Sequence, residues 1–176
     1  MKNLFKGLVV VLLPLILVSC SSQKKELKSV EYIDISKFMG DWYVIANIPT
    51  FLEKNIFNAI ENYELNTDGT VKTTFSYNAG NFDGPRKSFS PRGFIANDGS
   101  NAIWGMQFIW PIKADYRVIY IAPDYSYTII GRNKRDFVWL MSRSPSMSEA
   151  DIAFAKEFIS KAGYDINDLL FVPQQW

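Results

Sequence analysis

Between Asp41 and Arg143 the chain alternates short β-rich runs with turn signals, and this rhythm confines it to all-β architectures. The runs are DWYVIANIP, FNAIENYEL, TVKTTFSYN, PRGFIAN, NAIWGMQFIW, DYRVIYIA, YSYTIIGR and DFVWLMSR. In the third, Val71, Thr73, Phe75 and Tyr77 fall on one face, the period of two that a half-buried strand requires. The Asp-Gly of Asn66–Gly69 is a hairpin signal. NFDGPRKS reads as a loop and Asn97–Ser100 as a further turn. Eight strands in succession predict an up-and-down antiparallel meander, and closure into an eight-stranded β-barrel removes its exposed edges.

A single helical period follows. Ser146 and Glu149 stand at capping-box spacing, and Ile152, Ala155, Ile159 and Ala162 form a stripe with Phe158 beside it. Gly163 is a natural stop. This C-terminal α-helix is expected to pack outside the barrel, and DLLFVPQQW to add a short extra strand. A length of 176 residues suits one domain.

Composition removes several function classes. The formal charge of +1 argues against a nucleic-acid partner, which calls for a basic surface. The chain has no histidine, so Ser-His-Asp and Cys-His arrangements are absent, as is the commonest zinc ligand. No metal and no cofactor is expected.

The one cysteine, Cys20, lies in a telling place. Lys2 and Lys6 give a positive start, Leu8 to Val18 is apolar apart from Pro14, and Ser19 is small. That is the tripartite pattern of a secretory signal, and the apolar run is shorter than the roughly 20 residues that span a bilayer. LVSC (Leu17 to Cys20) resembles the bacterial lipobox. The resemblance implies cleavage before Cys20, lipidation of that residue, and, with Ser21 next, sorting to the outer membrane. Loss of Lys2 and Lys6 leaves 17 basic against 18 acidic residues. The expected organisation is therefore a signal peptide over 1–19, a lipidated and solvated tether over 20–31, and a barrel domain over 32–176.

Three separated motifs carry a second resemblance. FMGDWYVIA presents Gly40, Trp42 and Tyr43, IAPDYSY presents Asp124 and Tyr125, and FVWLMSRSP presents Arg143 before a helix. Over residues 34–173 the chain resembles the lipocalins, and among them the bacterial outer-membrane lipoprotein lipocalins. Pro123 and Val44 depart from the pattern, as does TTFSYNAG. The resemblance implies that Trp42 closes one end of the barrel with Arg143 across its ring, and that Asp124 and Tyr125 organise a turn at the same end.

It also implies an internal cavity, for which alternation supplies candidate walls: Glu61 and Tyr63; Phe75 and Tyr77; Trp104, Met106 and Phe108; Trp139 and Met141. In YRVIYIA either Tyr116, Val118 and Tyr120 or Arg117, Ile119 and Ile121 face inward. An inward Arg117 would receive a carboxylate or phosphate; alternatively it pairs with Glu61, or both are solvated rim charges. The leading functional expectation is a non-enzymatic binder of fatty acids or lysophospholipids. It would be a monomer or homodimer, anchored by lipid in the bacterial outer membrane on its periplasmic face, and used in lipid storage, transport or envelope maintenance. The competing readings are a structural envelope protein with a filled barrel and a protein partner, and an enzyme using Glu61 or a tyrosine. On this reading Trp42→Ala should mainly cost stability and Trp104→Ala should mainly alter ligand binding.

Overall fold

The computed structural model describes residues 25–49 and 55–176. The expected signal peptide and Cys20 lie outside the described residues. A short helix, α1 (Ile35–Phe38), leads into β1 (Gly40–Ile48), β2 (Ile56–Leu65), β3 (Val71–Ala79), β4 (Arg86–Phe89) and β5 (Arg92–Ile95). Then follow β6 (Ile103–Ile109), β7 (Ile112–Ile121), β8 (Tyr127–Gly131), β9 (Val138–Ser142), α2 (Glu149–Lys161), a 3-10 turn (Ile166–Asp168) and β10 (Leu170–Phe171). The strands run antiparallel in order, and β9 pairs back onto β1. A closed eight-stranded barrel results, as expected, with β4 and β5 together making its fourth strand.

One segment differs from expectation there. NFDGPRKS is not all loop, because Arg86–Phe89 pairs with Phe75–Asn78 of β3. Only at Ser90 and Pro91 does the strand break; β5 then resumes against Val71 and Lys72. Proline and serine masked a pairing that the long β3 imposes.

The barrel has unlike ends. β1, β3, β6 and β8 start at the end that α1 covers, and the hairpins at Ile109–Ile112 and Gly131–Val138 lie at the other. At the covered end Phe38, Trp42, Tyr63, Trp104 and Tyr116 form one aromatic floor. Phe38 lies 5.2 Å from Trp42 and 5.5 Å from Trp104, and Trp104 stacks on Tyr116 at 5.1 Å.

Arg143 clamps that floor from outside. Its guanidinium carbon sits 3.7 Å from the Trp42 ring centroid. Its Nη atoms donate to the carbonyls of Asp41 (2.6 Å), Lys37 (2.6 Å) and Met39 (2.8 Å). The indole Nε1 donates to Phe38 O at 2.8 Å. Gly40 adopts φ +91°, a turn that L side chains rarely take, and so brings α1 under the indole. The neighbouring turn is tied in as well: the Asp124 carboxylate accepts from Ser126 N, and the Tyr125 hydroxyl accepts from Asp34 N at 2.9 Å. Gly40, Trp42, Asp124, Tyr125 and Arg143 thus meet at one end.

A second apolar layer lies outside the wall. Ala155 and Ile159 of α2 are buried with Ile45, Ile129, Val138 and Leu140. The helix is capped by Ser148, which accepts from Asp151 N and donates to its carboxylate, and not by Ser146. Both serines precede an acidic residue by three, and the reciprocal bond settles on the second pair. Gly163 ends the helix at φ +92° as expected. The C-terminal segment fills a breach between β1 and β2, which pair only over Gly40–Tyr43 and Ile60–Tyr63. Gln174 Nε2 reaches both Val44 O and Ala59 O there.

The N-terminal segment corrects another expectation. Residues 25–31 are not a solvated tether. Leu27 is buried, its N–H donates to Asn133 Oδ1, and Val30 N donates to Val118 O. Gly131 permits this, since a Cβ there would lie 2.9 Å from Leu27 Cδ2 and 2.7 Å from the Tyr164 hydroxyl.

Removing the clamp leaves three carbonyls without their charged donor and the indole without its cation. Arg143→Ala is expected to lower the unfolding free energy by about 3 kcal/mol. Urea denaturation measures this; a loss under about 1 kcal/mol would demote the clamp to a surface contact.

Candidate functional site

Above the aromatic floor the barrel holds a cavity of about 380 Å³. That lies near the lower end of the about 300–1,000 Å³ typical of ligand pockets. The barrel is therefore not packed solid, which counts against the filled-barrel reading. Of the expected lining residues, Glu61, Tyr63, Phe75, Met106, Phe108 and Trp139 line it, as does Met141. β2 and β3 pair Glu61 with Phe75, which holds both on the inner face.

Three expected residues do not line it. Trp104 is 1 % exposed and belongs to the floor, where its Nε1 donates to Asn101 O. Tyr77 is buried between Phe75 and Phe89 in the inner core but does not bound the cavity. Arg117 points out of the barrel. It donates to the Asp115 carboxylate (2.9 Å), to Glu26 (2.8 Å) and to Leu27 O (3.0 Å), so it ties down the N-terminal segment. Desolvation opposes its charge, but the Glu26 and Asp115 carboxylates hold its pKa above the usual value. It neither receives a head group nor pairs with Glu61.

The choice between the two faces of β7 turns on a bulge. Tyr116 and Val118 face in and Arg117 faces out, but the register slips between Val118 and Tyr120. Beyond it Tyr120 packs outside against Phe154 and Phe158, while Ile121 joins the inner core. Strict alternation could not reveal this, because the bulge adds one residue to a single strand.

The cavity cation is Arg132, which alternation missed because it sits just past the end of β8. It lines the cavity with Phe137, and its guanidinium lies 4.9 Å from that ring centroid. Its Nη1 is 3.4 Å from Asp136 Oδ2, yet its Nε is buried with no hydrogen-bond partner. A buried donor in that state carries a desolvation cost of about 1–3 kcal/mol unless something accepts from it. Asp115 also borders the cavity, but its carboxylate is engaged by Arg117 and by Asn133 N. Phe89 and Ile109 complete the wall toward the open end.

The polar groups deepest in the cavity are two tyrosines. Their hydroxyls meet at 2.7 Å, and burial pushes both pKa values well above the ordinary phenol range. For Tyr63 the charge of Tyr116 adds to that rise; for Tyr116 the bond to Tyr63 partly opposes it. Neither is disposed to act as a tyrosinate base near neutrality. Among the described residues no group of His, Cys, Asp and Glu could hold a metal ion. The chemistry offered is an apolar slot with a hydrogen-bonded floor and an unsatisfied cationic donor in its wall.

A closed barrel with one covered end and an apolar chamber defines the class of small-ligand barrels. The Lipocalin-like domain matches residues 33–174, and the chain belongs to the lipocalin family. It is 32 % identical over 165 residues to Temperature-induced lipocalin-1 of Arabidopsis thaliana, covering 87 % of this chain and 86 % of that one. It is 25 % identical to the Outer membrane lipoprotein Blc of Citrobacter freundii over 90 % of each chain. Insecticyanin from the tobacco hornworm Manduca sexta shares the fold, with a TM-score of 0.64 at 19 % identity over 84 % of each chain.

Trp104 now carries a prediction opposite to that from sequence. Trp104→Ala opens a hole in the floor and should cost about 3–5 kcal/mol of stability. Chemical denaturation reads this. A variant of unchanged stability would show that the floor does not depend on the indole.

Proposed function

We propose that this protein is a non-enzymatic binder of single-chain amphiphiles, fatty acids or lysophospholipids, with the acyl chain in the cavity. The observation that carries the reading is the partnerless Nε of Arg132 in an otherwise largely apolar wall. A carboxylate or phosphate oxygen would satisfy that donor, and a guanidinium is well matched to such groups. The acyl chain would lie against Phe75, Met106, Trp139 and Met141, where a thioether adapts to a flexible ligand. Burial of apolar ligand surface contributes about 25 cal/mol per Å², less the cost of association.

The likeness to proteins named outer membrane lipoproteins supports placement in a bacterial envelope. On this reading Cys20, which ends the lipobox-like LVSC, is lipidated and the domain lies on the periplasmic face. There it would store or carry lipid during envelope maintenance, as a monomer or homodimer. The raised phenol pKa values disfavour either tyrosine as a catalytic base near neutrality.

Titration with a fluorescent fatty acid tests the reading. Arg132→Gln is expected to weaken binding about tenfold, equivalent to about 1.4 kcal/mol, while the methyl ester of the same acid binds both proteins alike. Arg117→Ala should leave affinity unchanged. Failure of the unaltered protein to bind any fatty acid or lysolipid, in solution or on purification from its host, would overturn the proposal.

A further inference from the structure

At the open end, the β6–β7 hairpin carries a continuous exposed apolar tip. Phe108, Ile109, Trp110 and Ile112 are 60 %, 73 %, 82 % and 70 % exposed. Elsewhere among the described residues, exposed large apolar side chains stand singly or as the pair Leu170 and Phe171. An apolar tip this exposed is costly in water and marks a contact surface. Trp110 is the most exposed of them, and tryptophan favours the boundary between lipid head groups and acyl chains.

A second observation comes from the other end of the sequence. The N-terminal segment runs along the outside of the barrel. Ile33 is at the covered end, where its N–H donates to Ser100 O. Lys25 is at the open end, where its carbonyl accepts from Arg135 Nη2 in the β8–β9 connection. Lys25, the first residue described, therefore lies beside the cavity mouth. Cys20 precedes Lys25 by five residues, a reach of at most about 17 Å when extended. The apolar tip and Lys25 are thus on the same side of the molecule.

We propose that the open end docks on a phospholipid bilayer, with Trp110 and Ile112 entering its interfacial region and the cavity mouth facing the lipid. Exposed Lys87 and Lys134 lie at this end with Asp83 and Asp136, while the Lys113 ammonium sits over the Phe94 ring on the outer wall, so the apolar tip and not net charge directs the docking. A second copy of the chain is a poorer occupant. A single narrow hairpin is small beside the about 800 Å² per partner that a stable dimer buries. Phe108 and Ile109 belong to the tip and also line the cavity, so a ligand could pass between bilayer and chamber along one apolar surface. That passage rests on the lipid-binding reading; docking itself does not.

The test uses the mature protein on vesicles of phosphatidylethanolamine and phosphatidylglycerol, with and without bromine on the acyl chains. Bromine is expected to quench the tryptophan emission, and most of that quenching should vanish in Trp110→Phe. Equal quenching of the two proteins would overturn docking through the tip. In Trp110→Ser/Ile112→Ser, transfer of a fluorescent fatty acid from vesicles should slow at least threefold, with unchanged affinity in vesicle-free buffer. Unchanged transfer would overturn the assigned entry route. Absence of affinity in buffer for the unaltered protein would overturn the lipid-binding reading alone, because the bromine experiment needs no ligand. A dimer of the unaltered protein that the double variant converts to a monomer, with no vesicle contact by either, would assign the tip to self-association instead.

Discussion

The barrel depends on the contact between Arg143 and Trp42. A barrel closed by strand pairing still has two open ends, and a chamber needs one of them sealed. Here the indole is clasped between Phe38 on the inside and a guanidinium at 3.7 Å. The same guanidinium gathers carbonyls from Lys37, Met39 and Asp41, so one side chain joins α1, β1 and the end of β9. Partial burial lowers the arginine's pKa, and Asp41 opposes that shift. The charge is retained because guanidinium begins far above neutrality.

A sealed floor leaves the rest of the interior free to remain empty. Five aromatic rings fill the covered end, whereas toward the mouth Phe75, Phe89, Met106 and Trp139 stand around unfilled space. The outside of the wall carries a layer of its own, where α2, the N-terminal segment and the 3-10 turn bury Ile129, Val138 and Leu140. This division lets the wall be stabilised from outside without filling the chamber. Arg117 belongs to that outer layer and Arg132 to the inner one, two cations of similar sequence setting with different roles.

Legibility from sequence followed distance along the chain. Val71, Thr73, Phe75 and Tyr77 could be assigned to one buried face because a strand without a bulge keeps its period. Arg117 could not, since its direction depends on a face choice that two apolar sets on β7 satisfied equally. Nor could Trp104 be separated from Met106: both face inward, but only depth along the barrel axis decides which ring is floor and which side chain is wall. Arg132 lies where periodicity has ended, so no alternating pattern pointed to it. Residues 25–31 look soluble by composition, and their docking depends on partners distant in sequence: the Cβ-free surface at Gly131 that admits Leu27, and Arg117 and Asn133, which bond its backbone.

By itself the sequence determined the succession of strands, the late helix, and the partnership of Gly40, Trp42, Asp124, Tyr125 and Arg143 through the lipocalin pattern. Those features are local in periodicity or fixed in motif. Tertiary structure decided which inward residues border space, which cation faces that space, and which end of the barrel Lys25 reaches. Each of these depends on barrel closure and on bulges that shift register between strands distant in sequence, and no local propensity encodes their sum.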